Sequence, residues 1–91
     1  MNTNQGIDRQ REIFFEELKL GSLTVELSVQ KEANYYFDNA CSVYLVAKDE
    51  NSRRLWSTPI IDDQLGGVKI YASVNEAISD VKKKLGLYFE Q

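Results

Sequence analysis

Few residues in this chain could do chemistry. Cys41 is the only thiol, and histidine is absent from all 91 residues. Histidine is the side chain that ordinarily titrates near neutral pH. Without it, a Cys–His nucleophilic pair, a histidine-bearing zinc site and a Ser-His-Asp triad are excluded. Carboxylates, lysines, hydroxyls and one thiol remain. Cys41 would need a nearby cation or a helix N-terminus to become a nucleophile. A small buried hydrophobe is the better reading of it.

The carboxylates do not converge in sequence. Asp62-Asp63 is followed only by Gln64 before Gly66-Gly67. A loop that binds a hard cation spaces several oxygen ligands along its length, so this stretch reads as a solvated turn. Glu16-Glu17 is an adjacent pair, and on a helix its members would point about 100° apart. Gly66-Gly67 precedes a strand pattern rather than a helix and lacks the spacing of a phosphate-binding loop. Lys82-Lys83-Lys84 closes a helical pattern, where the helix dipole already favours cations. No catalytic residue, metal site or cofactor is implied, and the expectation is a protein that is not an enzyme.

One aromatic cluster could bind a ligand. Tyr35, Tyr36 and Phe37 lie between Asn34 and Asp38-Asn39. Rings beside amides offer stacking together with hydrogen bonds, the makings of a small-molecule pocket. Such a pocket would be gated by the loop over 62–67.

The bulk numbers describe a single globular unit over residues 1–91, with 1–6 and 88–91 expected to be flexible. Apolar residues make up 43% and charged residues 27%, which is ordinary for a packed domain. The formal charge is −3, which disfavours nucleic acid as a partner because a basic stripe normally supplies that affinity. No apolar run is long enough to span a membrane. A lone cysteine fits a reducing compartment. The first residues lack the basic flank and apolar run of a signal peptide, so the expected location is the cytoplasm.

The patterning predicts an α+β two-layer fold. Residues 7–17 are read as a helix closed by Gly21, although Phe14, Glu16, Leu18 and Leu20 also fit a strand. Leu23, Val25, Leu27 and Val29 alternate with polar residues as a half-buried strand. Strands over 41–48 and 53–58 flank the turn formers 49–52, Pro59 marks an edge, and 68–72 is a further short strand. The C-terminal helix has Ser73 as N-cap and Glu76 three residues on. Its stripe is Val74, Ala77, Ile78, Val81 and Leu85. Gly86 is its left-handed stop, with Leu87 folding back on Val81. These elements make an antiparallel sheet of three or four strands carrying helices on one face.

Parity along the strands then assigns the faces. With Leu23, Val25, Leu27 and Val29 under the helices, Val43, Leu45, Ala47, Val68 and Ile70 join them. The outer face receives Tyr44, Val46, Lys48, Lys69 and Tyr71, and Trp56 with Arg54 and Thr58. Aromatic anchors with a basic rim are characteristic of interfaces. The sequence therefore predicts a protein–protein interaction module built on Tyr44, Trp56 and Tyr71, with Arg54 and Lys69 at the rim. Its partner would be a second copy, or a larger protein to which this chain is an accessory or inhibitor, as for small proteins of bacteria or mobile elements.

Overall fold

A computed structural model describes residues 9–33 and 38–86. Four strands run in chain order: β1 (Glu12–Leu20), β2 (Leu23–Lys31), β3 (Cys41–Lys48) and β4 (Arg54–Pro59). One helix follows, α1 (Val74–Lys84). The strands form a single antiparallel sheet in the order β1-β2-β3-β4. Ala77 and Val81 of α1 close one face of it, against Leu18, Val25, Leu27, Val29, Val43, Leu45 and Ala47. This is the α+β architecture that the patterning predicts. The flexible ends expected at 1–6 and 88–91, and the Leu87 contact, lie outside the described residues.

The N-terminal helix is replaced by a strand. β1 pairs with β2 from Leu20↔Leu23 back to Phe14↔Val29, and a bulge at Ile13 shifts the register before Glu12↔Gln30. The loop between them is only Gly21-Ser22. Gly21 holds φ +67° at the first loop position, as a type II′ hairpin turn requires. Glycine there serves a hairpin, not a helix C-terminus. Phe14, Glu16, Leu18 and Leu20 share the helix-covered face with Val29, Leu27, Val25 and Leu23.

β2 is buried on both faces from Val25 to Gln30. Val25, Leu27 and Val29 face α1, and Glu26, Ser28 and Gln30 on the other face are buried as well. Those polar side chains are not left bare. Ser28 Oγ donates to Glu12 Oε2 at 2.6 Å, Gln30 Nε2 donates to Ser28 Oγ at 3.2 Å, and Lys48 Nζ donates to Glu26 Oε2 at 2.9 Å. Ser42 Oγ donates to Glu32 Oε2 at 2.6 Å beside them, and Glu32 also pairs with Arg11. Satisfied in this way, a polar sheet face can be buried without the cost of orphaned donors.

The β3–β4 turn is held by Asp49. Its Oδ1 accepts from the amides of Asn51 and Arg53 at 2.8 and 2.9 Å, the local bonding that favours aspartate in turns. α1 begins where Ser73 Oγ accepts from the Glu76 amide at 3.2 Å and ends at Gly86, φ +75°, with the Gly86 amide on the Lys83 carbonyl at 3.0 Å. Both ends are those the sequence predicts. Lys82 and Lys84 also meet acids, Glu16 at 3.4 Å and Asp80 at 3.8 Å.

No atom would crowd a Cβ at Gly21, so only backbone strain opposes a side chain there. Gly21→Ala should lower the unfolding free energy by about 1–2 kcal/mol with an unchanged m-value in urea titration. A loss in m would mean that the first hairpin had come apart.

Candidate functional site

The structure separates the five residues that the sequence places on one outer face. Residues 68–72 do not form a continuous strand, making only the bridges Ile61↔Val68 and Cys41↔Tyr71. Tyr71 exchanges both backbone hydrogen bonds with Cys41, at 3.0 and 2.8 Å. Residues directly opposite in a ladder share a face, and Cys41 belongs to the helix-covered side with Val43 and Leu45. Tyr71 is accordingly 5% exposed, within the core cluster. Its hydroxyl donates to Asp80 Oδ2 on α1 at 2.5 Å. Lys69 follows it, with Nζ 5.3 Å from the Tyr71 ring centre and 3.7 Å from Asp80. Both residues therefore sit under the helix, not on the outer face. A ring that can bury its body and satisfy its hydroxyl gains from the core position. Burial pushes the Tyr71 phenol well above its ordinary value, and the Asp80 carboxylate adds to the rise.

Trp56 is displaced by a bulge. Ala47 pairs with Trp56, but Lys48 pairs with Arg54. Leu55 is thus an extra residue, and such an insertion reverses the facing of everything beyond it. Arg54 stays on the outer face with Lys48 and Tyr44. Trp56 and Thr58 turn to the helix-covered side, opposite Ala47 and Leu45. Tyr44 keeps its expected place, opposite Ser28 and Pro59, with its hydroxyl 3.5 Å from Ser57 Oγ.

The exposed large apolar groups are concentrated in one stretch of the chain instead. Leu55 is 50% exposed, Trp56 44%, Ile61 41%, Leu65 86% and Val68 44%. All belong to β4 or the hairpin after it. That hairpin is rigidly built. Asp62 Oδ1 accepts from the amides of Gln64 and Leu65 at 2.8 and 3.0 Å, and the Asp62 carbonyl accepts from Gly66 at 2.8 Å. The Leu65 and Gln64 amides hold the Asp62 carboxyl below its usual range. Asp62 thus organises the loop that lifts Leu65 into solvent, the turn role expected of it. Sequence reasoning missed this rim, although two signals were available. Leu55 beside Trp56 breaks strand alternation, and Leu65 is apolar within a turn.

The remaining chemistry-bearing residues stay apart. Cys41 is buried, and burial, with Glu32 and Glu76 nearby, raises its thiol pKa. Glu16 and Glu17 point to opposite faces of β1. Among the described residues no group of three or more Cys, Asp or Glu side chains could hold a metal ion, and no helix is long and apolar enough to cross a membrane. Tyr35, Tyr36 and Phe37 lie outside the described residues. A cleft of about 400 Å³ is lined by Ile13, Lys31, Asn39, Ala40 and the first turn of α1 from Ser73 to Asn75. The loop over 62–67 does not line it.

Comparison with protein-family models, with curated proteins and with solved structures returned no match.

Tyr71 joins the segment after β4 to α1. Tyr71→Phe should cost roughly 1–3 kcal/mol, because Asp80 loses a hydrogen bond in a part-buried setting. A phenol whose folded pKa is raised contributes stability that is present below its unfolded value of 10.0 and lost as pH climbs beyond it. Denaturation measured between about pH 9 and 11 should show a shallower loss of stability for Tyr71→Phe than for wild type. Equal slopes would mean that the Tyr71 phenol is not held buried against Asp80 in solution.

Proposed function

We propose that this chain is a non-enzymatic protein-interaction module that docks a larger protein through the rim formed by β4 and the hairpin after it. Trp56 is its anchor. One observation carries the reading. Five of the six exposed large hydrophobic residues among those described fall between positions 55 and 68, the sixth being Ile13. Large apolar groups left exposed along one edge strand and the hairpin after it are candidates for a partner site. Tryptophan is the side chain most enriched among residues that dominate binding energy. Arg53 and Arg54 flank the rim, and arginine is likewise enriched at interfaces. The Asp62 turn holds the hairpin tip that carries Leu65, which limits the ordering cost of binding there.

A second reading rests on the cleft beside Asn39 and Ala40. Its size suits a small ligand, and Asn39 and Ala40 of its lining are close in sequence to the aromatic run at 35–37. A thermal-shift screen of metabolites against wild type and Val74→Trp, which would fill the cleft, tests it. A ligand that stabilises wild type but not the variant would support this reading.

The docking reading is tested with a partner isolated on wild-type protein, purified, and titrated by calorimetry. Trp56→Ala should weaken that complex by about 2 kcal/mol or more while the melting temperature stays near that of wild type. Lys83→Ala on the exposed side of α1 should change nothing. An unaltered affinity for Trp56→Ala would overturn the assignment.

A further inference from the structure

The two edges of the sheet are finished differently. Lys31 donates its amide to Arg11 at 2.8 Å, so the odd-numbered residues of β2 face β1. Their partners on β1 are Leu20, Leu18, Glu16 and Phe14. Backbone groups alternate in direction along a strand, so the amides and carbonyls of Phe15, Glu17 and Lys19 point away from the sheet. Among the described residues, nothing pairs with them. At the other edge, Ile60 donates to Val43 at 2.9 Å, so Pro59 and Ser57 face outward. Proline offers no donor, and the Leu55 bulge interrupts the ladder beyond. β4 is protected against strand addition; β1 is open.

We propose that two copies of this chain join through their β1 edges as an antiparallel pair, with Leu18 on the two-fold axis. Glu17 of each copy then lies opposite Lys19 of the other. Charge selects this register. Two strands related by a two-fold axis perpendicular to the sheet must place some residue opposite itself. Centring on Glu17 sets Glu17 against Glu17, and centring on Glu16 sets Glu16 against Glu16. Like charges directly opposite are destabilising. Centring on Leu18 instead gives two Glu–Lys pairs and a Leu–Leu contact, and both residues of each Glu–Lys pair carry outward backbone groups. Glu17 also has a use for the cation. Its neighbour across the ladder on β2 is the like-charged Glu26, which already holds Lys48 at 2.9 Å. Glu16, by contrast, is compensated within the chain by Lys82. The bulge at Ile13 ends the open stretch on one side and the Gly21-Ser22 turn ends it on the other, so the pairing is short and closed.

Sedimentation equilibrium on the full chain tests this. Wild type should dimerise, and more tightly at low salt. Glu17→Lys and Lys19→Glu should each weaken self-association about tenfold or more, since each turns two attractive pairs into two repulsive ones. An equimolar mixture of the two variants should form a heterodimer. Position 17 of either variant then meets position 19 of the other with opposite charge, at both pairs. Circular dichroism should report intact folds. Within the chain, position 17 faces Glu26 and position 19 faces Thr24, so neither substitution creates a like-charged cross-strand neighbour. A monomeric wild type up to about 1 mM, unchanged association in either single variant, or no heterodimer on mixing would each overturn the proposal. So would dissociation of the dimer by Trp56→Ala, because the β1 pairing does not rest on the docking rim.

Discussion

β2 is hydrogen-bonded on both sides, to β1 through its odd-numbered residues and to β3 through its even-numbered ones. Its register against these neighbours decides the facing of every strand. Val25, Leu27 and Val29 fix the side that α1 covers, and with that side fixed, one residue of slip anywhere would exchange core for surface. The polar face of β2 adds a second constraint. Glu26, Ser28 and Gln30 are buried, and Glu26 and Ser28 each need a partner from a particular position on a neighbouring strand. Ser28 finds Glu12, and Glu26 finds Lys48. A slipped register would leave these groups unpaired, and an unpaired buried polar group costs more than a net hydrogen bond gains. The polar network therefore pins the same register as the apolar face.

The two bulges show what this rigid centre leaves for the margins. The extra residue Ile13 lets Glu12 return to the outer face opposite Gln30, where it receives the Ser28 hydroxyl. The extra residue Leu55 does the reverse for Trp56, carrying the indole off the outer face. Each bulge lies near the end of a marginal strand, where ladder bonds are fewest and their loss is cheapest. The Leu55 bulge leaves a large apolar side chain partly exposed. With Leu65, held up by the Asp62 turn, it belongs to the rim proposed as the docking surface.

Much of the fold is legible in the sequence. α1 is readable because its cap, stripe and stop are all local signals, and local signals survive packing. β2, β3 and the Asp49 turn are readable for the same reason. β1 is not. Phe14, Phe15 and Leu18 satisfy a helical spacing about as well as Phe14, Leu18 and Leu20 satisfy a strand, and only the Gly21-Ser22 hairpin turn breaks the tie. The faces of the candidate interface residues are harder still. Parity reaches Tyr44 because it runs unbroken through β3. Trp56 lies beyond a bulge, and Tyr71 lies beyond a loop in a segment with only two bridges, so parity cannot be carried to either. Alternation is trustworthy only within one uninterrupted ladder, and the proposed anchors are drawn from three.

The sheet's two edges set the geometry of any assembly it enters. In the β1-paired dimer the strand order becomes β4-β3-β2-β1-β1-β2-β3-β4, a sheet of eight with protected strands at both ends. Seven spacings of about 4.8 Å separate the outermost strands by about 34 Å. A right-handed twist of roughly 20–25° per strand would turn the two rims far apart in direction. Each rim would then be free to engage its own partner molecule, or both could grip two sites on one symmetric partner. In the second case the effective concentration of the second contact, rather than new chemistry, would supply the gain in affinity. If the rim docks a partner as proposed, pairing would strengthen it: one tryptophan and four aliphatic side chains make a limited contact on their own, and two-fold repetition is the least costly way to multiply it.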